Sequence, residues 1–104
     1  MNFMAAVGPD FKAGFTDLAP SSNADVGRTM AQLLGLNLRS QGKLVGRVLT
    51  EALTGGKAIK PSAGVLRSAP APGGWLTVLQ YQDADGVRYF DAAGFPLRTV
   101  GLAR

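Results

Sequence analysis

The stretch Trp75-Leu-Thr-Val-Leu-Gln-Tyr-Gln-Asp-Ala-Asp-Gly-Val-Arg-Tyr-Phe90 gives the strongest structural signal in this 104-residue sequence. Residues 75–82 are rich in β-branched and aromatic side chains, which alternate between the two sides of a strand. Residues 83–86 have the Asp and Gly composition of a turn, and residues 87–90 begin a second strand. The stretch therefore predicts an antiparallel β-hairpin with a four-residue loop.

Shorter elements are predicted on either side of this hairpin. Residues 65–68 are typical of a strand that ends at the Pro- and Gly-rich segment 70–74, whereas residues 91–104 are expected to be irregular. Near the start, the apolar run 3–7 is closed by Gly8-Pro9, which favours a buried strand. Residues 44–53 are compatible with a second short helix.

One helix is predicted from about residue 23 to residue 34. Ser22 is a suitable N-cap, and Asp25 lies three residues later, as in a capping box. Gly35 suits the left-handed position after the last turn. The apolar residues recur at helical spacing and predict one face, which is a possible interaction face: Val26, Met30, Leu33 and Leu34.

Together these elements predict an α+β chain with one or two short helices and a C-terminal antiparallel β-hairpin. The length fits a single small domain over residues 1–104. Within it, residues 63–104 form the hairpin-containing C-terminal part.

The composition excludes several classes of function. The net charge of +4 comes from basic residues that are spread singly along the chain, whereas a nucleic-acid interface clusters its charge. The sequence has neither cysteine nor histidine, so disulfides, thiolate sites and imidazole ligands are all ruled out. No apolar run is long enough to span a membrane. The N-terminus lacks the pattern of a signal peptide, which predicts a cytoplasmic location for the chain as written.

The candidate sites that remain each have a simpler alternative. Asp83 and Asp85 suggest a calcium loop, but no further oxygen ligands follow and the turn interpretation is favoured. Asp10, Asp17 and Asp25 could hold Mg²⁺, but the simpler interpretation, two surface acids and a helix-capping acid, is favoured. The aromatic residues Trp75, Tyr81, Tyr89 and Phe90 could stack on nucleic-acid bases, but they are more typical of packing across a hairpin.

Three segments taken together resemble a known family. They are Met4-Ala-Ala-Val-Gly-Pro-Asp-Phe-Lys-Ala-Gly14, Ser22-Asn-Ala-Asp-Val-Gly-Arg-Thr-Met-Ala-Gln-Leu-Leu-Gly-Leu36 and Gly46-Arg-Val-Leu-Thr-Glu-Ala-Leu53. In this order they resemble the C-terminal segment of type I phosphodiesterase/nucleotide pyrophosphatase-like proteins of the alkaline phosphatase superfamily. Arg88-Tyr-Phe-Asp-Ala-Ala-Gly-Phe-Pro96 and Arg98-Thr-Val-Gly-Leu102 resemble the tail of one branch of that group.

The resemblance implies a fragment of a larger α/β sandwich, in which residues 1–56 resemble the end of the phosphatase/phosphodiesterase core. Such enzymes, which are often periplasmic or secreted, hydrolyse phosphoric esters with two metal ions, typically zinc, and a Thr or Ser nucleophile. The matching region contains neither the nucleophile nor the histidine ligands, so no catalytic or metal-binding residue is assigned to this chain. Asp10 and Lys12 would follow the last histidine segment of the family and are expected at the pocket rim of a complete enzyme.

The resulting expectation is a non-catalytic portion of a hydrolase, without cofactors of its own and inactive alone. An isolated piece would leave its helix face and its strand 3–7 without cover. We therefore expect the chain to self-associate, to bind an upstream fragment of the same enzyme, or to rearrange around its hairpin. Two alternatives stay open: a small interaction or scaffold module that acts through the exposed apolar face, and an enzyme that uses an unrecognised carboxylate site.

Overall fold

A computed structural model describes residues 3–99 and 101–102 of the chain. Within those residues it has one α-helix, one turn of 3-10 helix and a three-stranded antiparallel sheet. The predicted α+β class is confirmed. The chain divides into two compact units, Met1–Ile59 and Lys60–Arg104, and all of the strands belong to the second.

Helix α1 spans Asn23–Leu33, as the sequence predicts. Ser22 is the N-cap, and its backbone N–H donates to Oδ2 of Asp25 at 2.8 Å within a complete capping box. This box satisfies amides that the first turn would otherwise leave unpaired. Gly35 follows the helix with a φ of +68°, the left-handed conformation that ends a helix most easily at glycine.

Residues 3–7 are irregular and exposed, so the prediction of a buried strand is wrong. Phe3 is 92% exposed and Val7 is 99% exposed. A strand needs a neighbouring strand for its backbone hydrogen bonds. In the described part of the first unit there is no sheet that could provide one.

The second predicted helix, in residues 44–53, is reduced to the 3-10 turn Thr50–Ala52. Side chains of α1 explain why the residues before this turn stay non-helical. The backbone N–H of Arg47 donates to Oδ1 of Asp25 at 2.8 Å, and that of Leu49 donates to Oγ1 of Thr29 at 2.9 Å. Amides that are held in this way are not available for bonds within a helix.

The sheet of the second unit has the order β1-β2-β3, with β1 at Ser62–Arg67, β2 at Val78–Ala84 and β3 at Val87–Gly94. Both neighbouring pairs are antiparallel, and the predicted hairpin is confirmed as β2–β3. Its loop is shorter than predicted, because Ala84 pairs with Val87 and only Asp85 and Gly86 lie between them.

Backbone conformation explains the tight turn. Asp85 has a φ of 48° and Gly86 a φ of 79°, which fits the left-handed pair that a type I′ hairpin turn requires. Strand β3 also runs to Gly94, beyond the point at which the sequence predicted irregular structure. A bulge at Gln80/Tyr81 shifts the register between the two halves of this hairpin.

The two faces of the sheet differ in burial. Val78, Ala84 and Tyr89 lie on the buried face. On the other face the ring of Tyr81 covers Gly64, where a Cβ atom would come within 2.3 Å of the ring, so only glycine fits there. Across the described residues, no helix is long and apolar enough to cross a membrane.

Candidate functional site

The most enclosed group of side chains in the first unit is polar. We call it the polar cluster, and its members are Asp17, Asp25, Thr29, Arg47 and Glu51. Asp25, Thr29, Arg47 and Glu51 are all buried, with at most 5% of each residue exposed. Among the described apolar residues of this unit, Leu49 is 3% exposed, Ala31 is 8% exposed, and no other is buried. The interior of the unit is therefore organised around charges and hydrogen bonds.

Arg47 and Glu51 form a bidentate ion pair at the centre of the cluster. Nη2 of Arg47 lies 2.7 Å from Oε1 of Glu51, and Nη1 lies 2.9 Å from Oε2. Nη2 also donates to the carbonyl oxygen of Pro20 at 2.9 Å. This parallel pair of bonds matches the planar guanidinium to the carboxylate and fixes the direction of both side chains.

Asp25 and Thr29 connect this ion pair to helix α1. Besides capping the helix, the Asp25 carboxylate accepts the backbone N–H of Arg47. The Thr29 hydroxyl donates to the backbone carbonyl of Asp25 at 2.8 Å and accepts the amide of Leu49. One turn of helix thus fixes the chain on both sides of Val48.

Asp17 places a second carboxyl group beside Glu51. Burial raises the pKa of Asp17, and its interaction with Glu51 raises that pKa further. The backbone N–H of Ala19, which donates to Oδ1 of Asp17 at 3.0 Å, lowers the same pKa but does not outweigh burial. Burial also raises the pKa of Glu51, but its bonds from Arg47 outweigh burial and leave that pKa below its ordinary value. The surroundings therefore move the pKa values of these two neighbouring carboxyl groups in opposite directions.

The polar cluster does not fit the two zinc ions that the family resemblance implies. The sequence supplies no imidazole. Within the described residues, no group of three or more acidic side chains is arranged to hold a metal ion. Glu51 accepts hydrogen bonds from the guanidinium of Arg47, which supplies the balancing positive charge, and Asp25 accepts the backbone N–H of Arg47. The cluster is suited to positioning chain segments, and no reaction step follows from it.

Asp10 and Lys12, the predicted rim residues, lie on a short two-stranded contact. Phe11 forms an isolated antiparallel bridge with Leu53, and the amide of Lys12 donates to the carbonyl oxygen of Ala52 at 3.0 Å. The Lys12 ammonium donates to the carbonyl oxygen of Gly56 at 2.8 Å. Asp10 is exposed. The structure therefore brings the two residues to one edge of the unit, where Lys12 already has a backbone partner.

The predicted interaction face on α1 lies at the surface. Met30 is 45% exposed and Leu34 is 67% exposed, while Val26 and Leu33 are half-buried. Further large apolar residues of the same unit are also exposed: Phe3, Met4, Val7, Phe15, Leu18, Leu36, Leu38, Leu44 and Val45. The unit thus buries polar side chains and exposes apolar ones, the reverse of the usual distribution.

The other candidate residues, in the second unit, have local partners. Arg88 donates to both carboxylate oxygens of Asp83, at 2.8 and 2.9 Å, and its guanidinium carbon lies 3.8 Å from the centre of the Tyr81 ring. The bond from Arg88 lowers the pKa of Asp83. Asp83 belongs to β2, so Asp83 and Asp85 do not form a loop of the calcium-binding kind.

The aromatic residues of the second unit separate into different environments. Tyr89 is buried, whereas Phe90 is 70% exposed on the opposite face, directly across from Tyr81. Trp75 meets Phe95 edge to face with ring centres 6.5 Å apart. These contacts are cross-strand and loop packing, and they do not assemble one stacking platform from the four residues.

Arg47 and Glu51 are the site residues that sequence reasoning missed. Their spacing of four residues is the signal that could have drawn attention to them. The apolar positions of residues 44–53 dominate this segment and obscure the pair. Asp25 was recognised as a capping residue, and that role is confirmed.

Comparison of the chain with protein-family models, with curated proteins and with solved structures finds no match. The family resemblance stated from the sequence therefore remains a prediction.

Proposed function

We propose that the chain is the non-catalytic C-terminal portion of a metal-dependent phosphoric-ester hydrolase, similar to the type I phosphodiesterase/nucleotide pyrophosphatase-like proteins. In this role it is inactive alone and supplies structure to the part of the enzyme that carries the metal ions and the nucleophile. The observation that carries the proposal is the distribution of side chains in the first unit, which has a polar interior and exposed apolar residues at its surface.

The apolar exterior supports packing against another polypeptide. Exposed apolar patches beyond the usual size mark interaction surfaces in soluble proteins. On α1, Met30 and Leu34 are separated by one helical turn and are both exposed, so a partner could cover them together. The polar cluster would keep α1 and residues 47–51 in a fixed arrangement while this surface is covered.

The experiment is complementation by the polypeptide encoded directly upstream of the Met1 codon. We expect a stable complex on co-expression, and metal-dependent hydrolysis of a phosphodiester by the complex only. Met30→Asp should weaken the complex at least tenfold. Gln32→Asp is the matched control, since it adds the same charge to an exposed position of the same helix. Equal effects of the two variants, or no complex at all, would contradict the proposal.

The alternative is a small interaction or scaffold module with no hydrolase as its partner. The same exposure of Met30 and Leu34 supports it. The two proposals differ in the partner. A module of this kind would bind another protein through α1, with sensitivity to Met30→Asp, and would leave the upstream-encoded polypeptide unbound.

A further inference from the structure

Strand β1 is an open edge of the sheet. Ser68 donates its amide to the carbonyl oxygen of Thr77, which fixes the hydrogen-bonded positions of the β1–β2 ladder at every second residue. By this alternation, the backbone groups of Ala63, Val65 and Arg67 point away from β2. All three residues are exposed, and none receives a backbone hydrogen bond from another described loop.

This edge has little protection against pairing. Natural edge strands are protected by charged side chains, by an internal proline, by a bulge or by being very short. In β1 the charge is confined to Arg67 at the end of the strand, and residues 62–66 carry no charge, proline or bulge and pair regularly with β2. Pro61 and Pro70 lie outside the strand and limit the length of any added ladder.

We propose that β1 pairs antiparallel with β1 of a second copy of this chain, on a two-fold axis at Val65. The two three-stranded sheets then join into one of six strands. This inference does not rest on the proposed function, because it uses only the second unit and its own edge.

Charge and proline positions select this register. An axis at Arg67 would place two arginines opposite each other, which is unfavourable for like charges. An axis at Ala63 or at Gly64 would place Pro61 at a position that must donate a hydrogen bond, and proline has no N–H. An axis at Leu66 would make the two arginines diagonal neighbours at about 7–8 Å, which is also unfavourable for like charges. With the axis at Val65, Ala63 faces Arg67 of the second copy, and each edge residue finds a donor and an acceptor.

The side chains also fit this arrangement. Val65 and Leu66 are 49% and 48% exposed, and the pairing removes part of that apolar area from water. Leu66 of the second copy comes beside Gly64, where the ring of Tyr81 fills the space above the glycine. The contact is thus apolar at its centre, with Arg67 at each end.

Cysteine cross-linking tests the register, because the chain has no cysteine of its own. In a hydrogen-bonded antiparallel pair the Cα atoms are about 5.5 Å apart, within the range of a disulfide. Val65→Cys should therefore give a disulfide-linked dimer under mild oxidation. In Ala63→Cys or Arg67→Cys alone, the like residues would be roughly 14 Å apart along the strands, too far for a bond. A mixture of these two variants should cross-link to each other.

Charge exchange provides a second test in solution. Val65→Lys and Val65→Glu should each be monomeric by light scattering, because like charges meet at the axis, and their equimolar mixture should restore the dimer. Cross-linking of Val65→Cys no faster than of Ala63→Cys would overturn the proposal. So would a monomeric parent chain over a dilution series, including the case in which this edge instead binds the upstream-encoded polypeptide.

Discussion

Removal of Arg47 is the perturbation for which the structure gives the clearest magnitude. In Arg47→Met, the Glu51 carboxylate would stay in a site where only 2% of its side chain is exposed, without its bidentate partner. Breaking a buried ion pair from one side costs about 3–5 kcal/mol. A unit the size of Met1–Ile59 has a total stability of about 3–9 kcal/mol at the usual value per residue. We therefore expect Arg47→Met to remove at least about a third of the free energy of unfolding of the first unit.

The double variant Arg47→Met/Glu51→Leu is the informative comparison. Replacement of both partners by apolar residues removes the stranded charge, so it should cost clearly less than the sum of the single variants. Some loss remains, because the bond from Arg47 to the carbonyl oxygen of Pro20 is not replaced. Arg47→Lys is the control that keeps the charge but not the bidentate geometry.

The assay is urea unfolding, monitored in two-dimensional NMR spectra through amide signals from each unit. The amide of Leu49 reports on the first unit, and that of Gln80 reports on the sheet. A loss of less than about 1 kcal/mol in the free energy of unfolding of Arg47→Met would refute the reasoning, because a solvent-exposed ion pair contributes no more than about that much. Strict additivity in the double variant would refute it as well.

Three further predictions follow from single positions. The stability of the first unit should peak at mildly acidic pH. The raised pKa of Asp17 adds stability that is lost as the pH rises through that pKa, and the lowered pKa of Glu51 adds stability that is lost as the pH falls through that pKa. In thermal melts across pH, Asp17→Asn should abolish the loss of stability on the high-pH side of the peak. Gly64→Ala should destabilise the sheet by about 1–3 kcal/mol, measured by Trp75 fluorescence on denaturation, because its Cβ would meet the Tyr81 ring; an unchanged midpoint would contradict this. Gly27→Ala should stabilise the first unit by about 0.5–1 kcal/mol, because an added Cβ meets nothing within 4 Å in α1; a loss in thermal melts would count against it.

Elements with strong local signals could be predicted from the sequence. The capping box of Ser22 and Asp25 and the glycine at position 35 give the bounds of α1 almost to the residue. The alternation in residues 75–82 and the Asp-Gly pair give the hairpin, although not its two-residue turn. In these places the side chains that determine the structure are neighbours in the chain.

Features that depend on distant partners could not be predicted in the same way. Arg47 and Leu49 are kept out of a helix because Asp25 and Thr29, about twenty positions earlier, accept their amides. Likewise, the bond from Arg47 to the carbonyl oxygen of Pro20 joins two segments whose proximity no local pattern indicates. Residues 3–7 have the composition of a buried strand, but composition alone does not provide the sheet that would bury them.

Steady-state hydrolysis of a phosphodiester by the purified chain, with Zn²⁺ added, tests the central proposal most directly. We predict a rate equal to that of the metal buffer alone, because the chain offers no imidazole and its buried carboxylates are bonded to Arg47 and to backbone amides. Saturable turnover that is abolished by Asp10→Ala or Asp17→Ala would contradict it and would place a reactive centre within these residues.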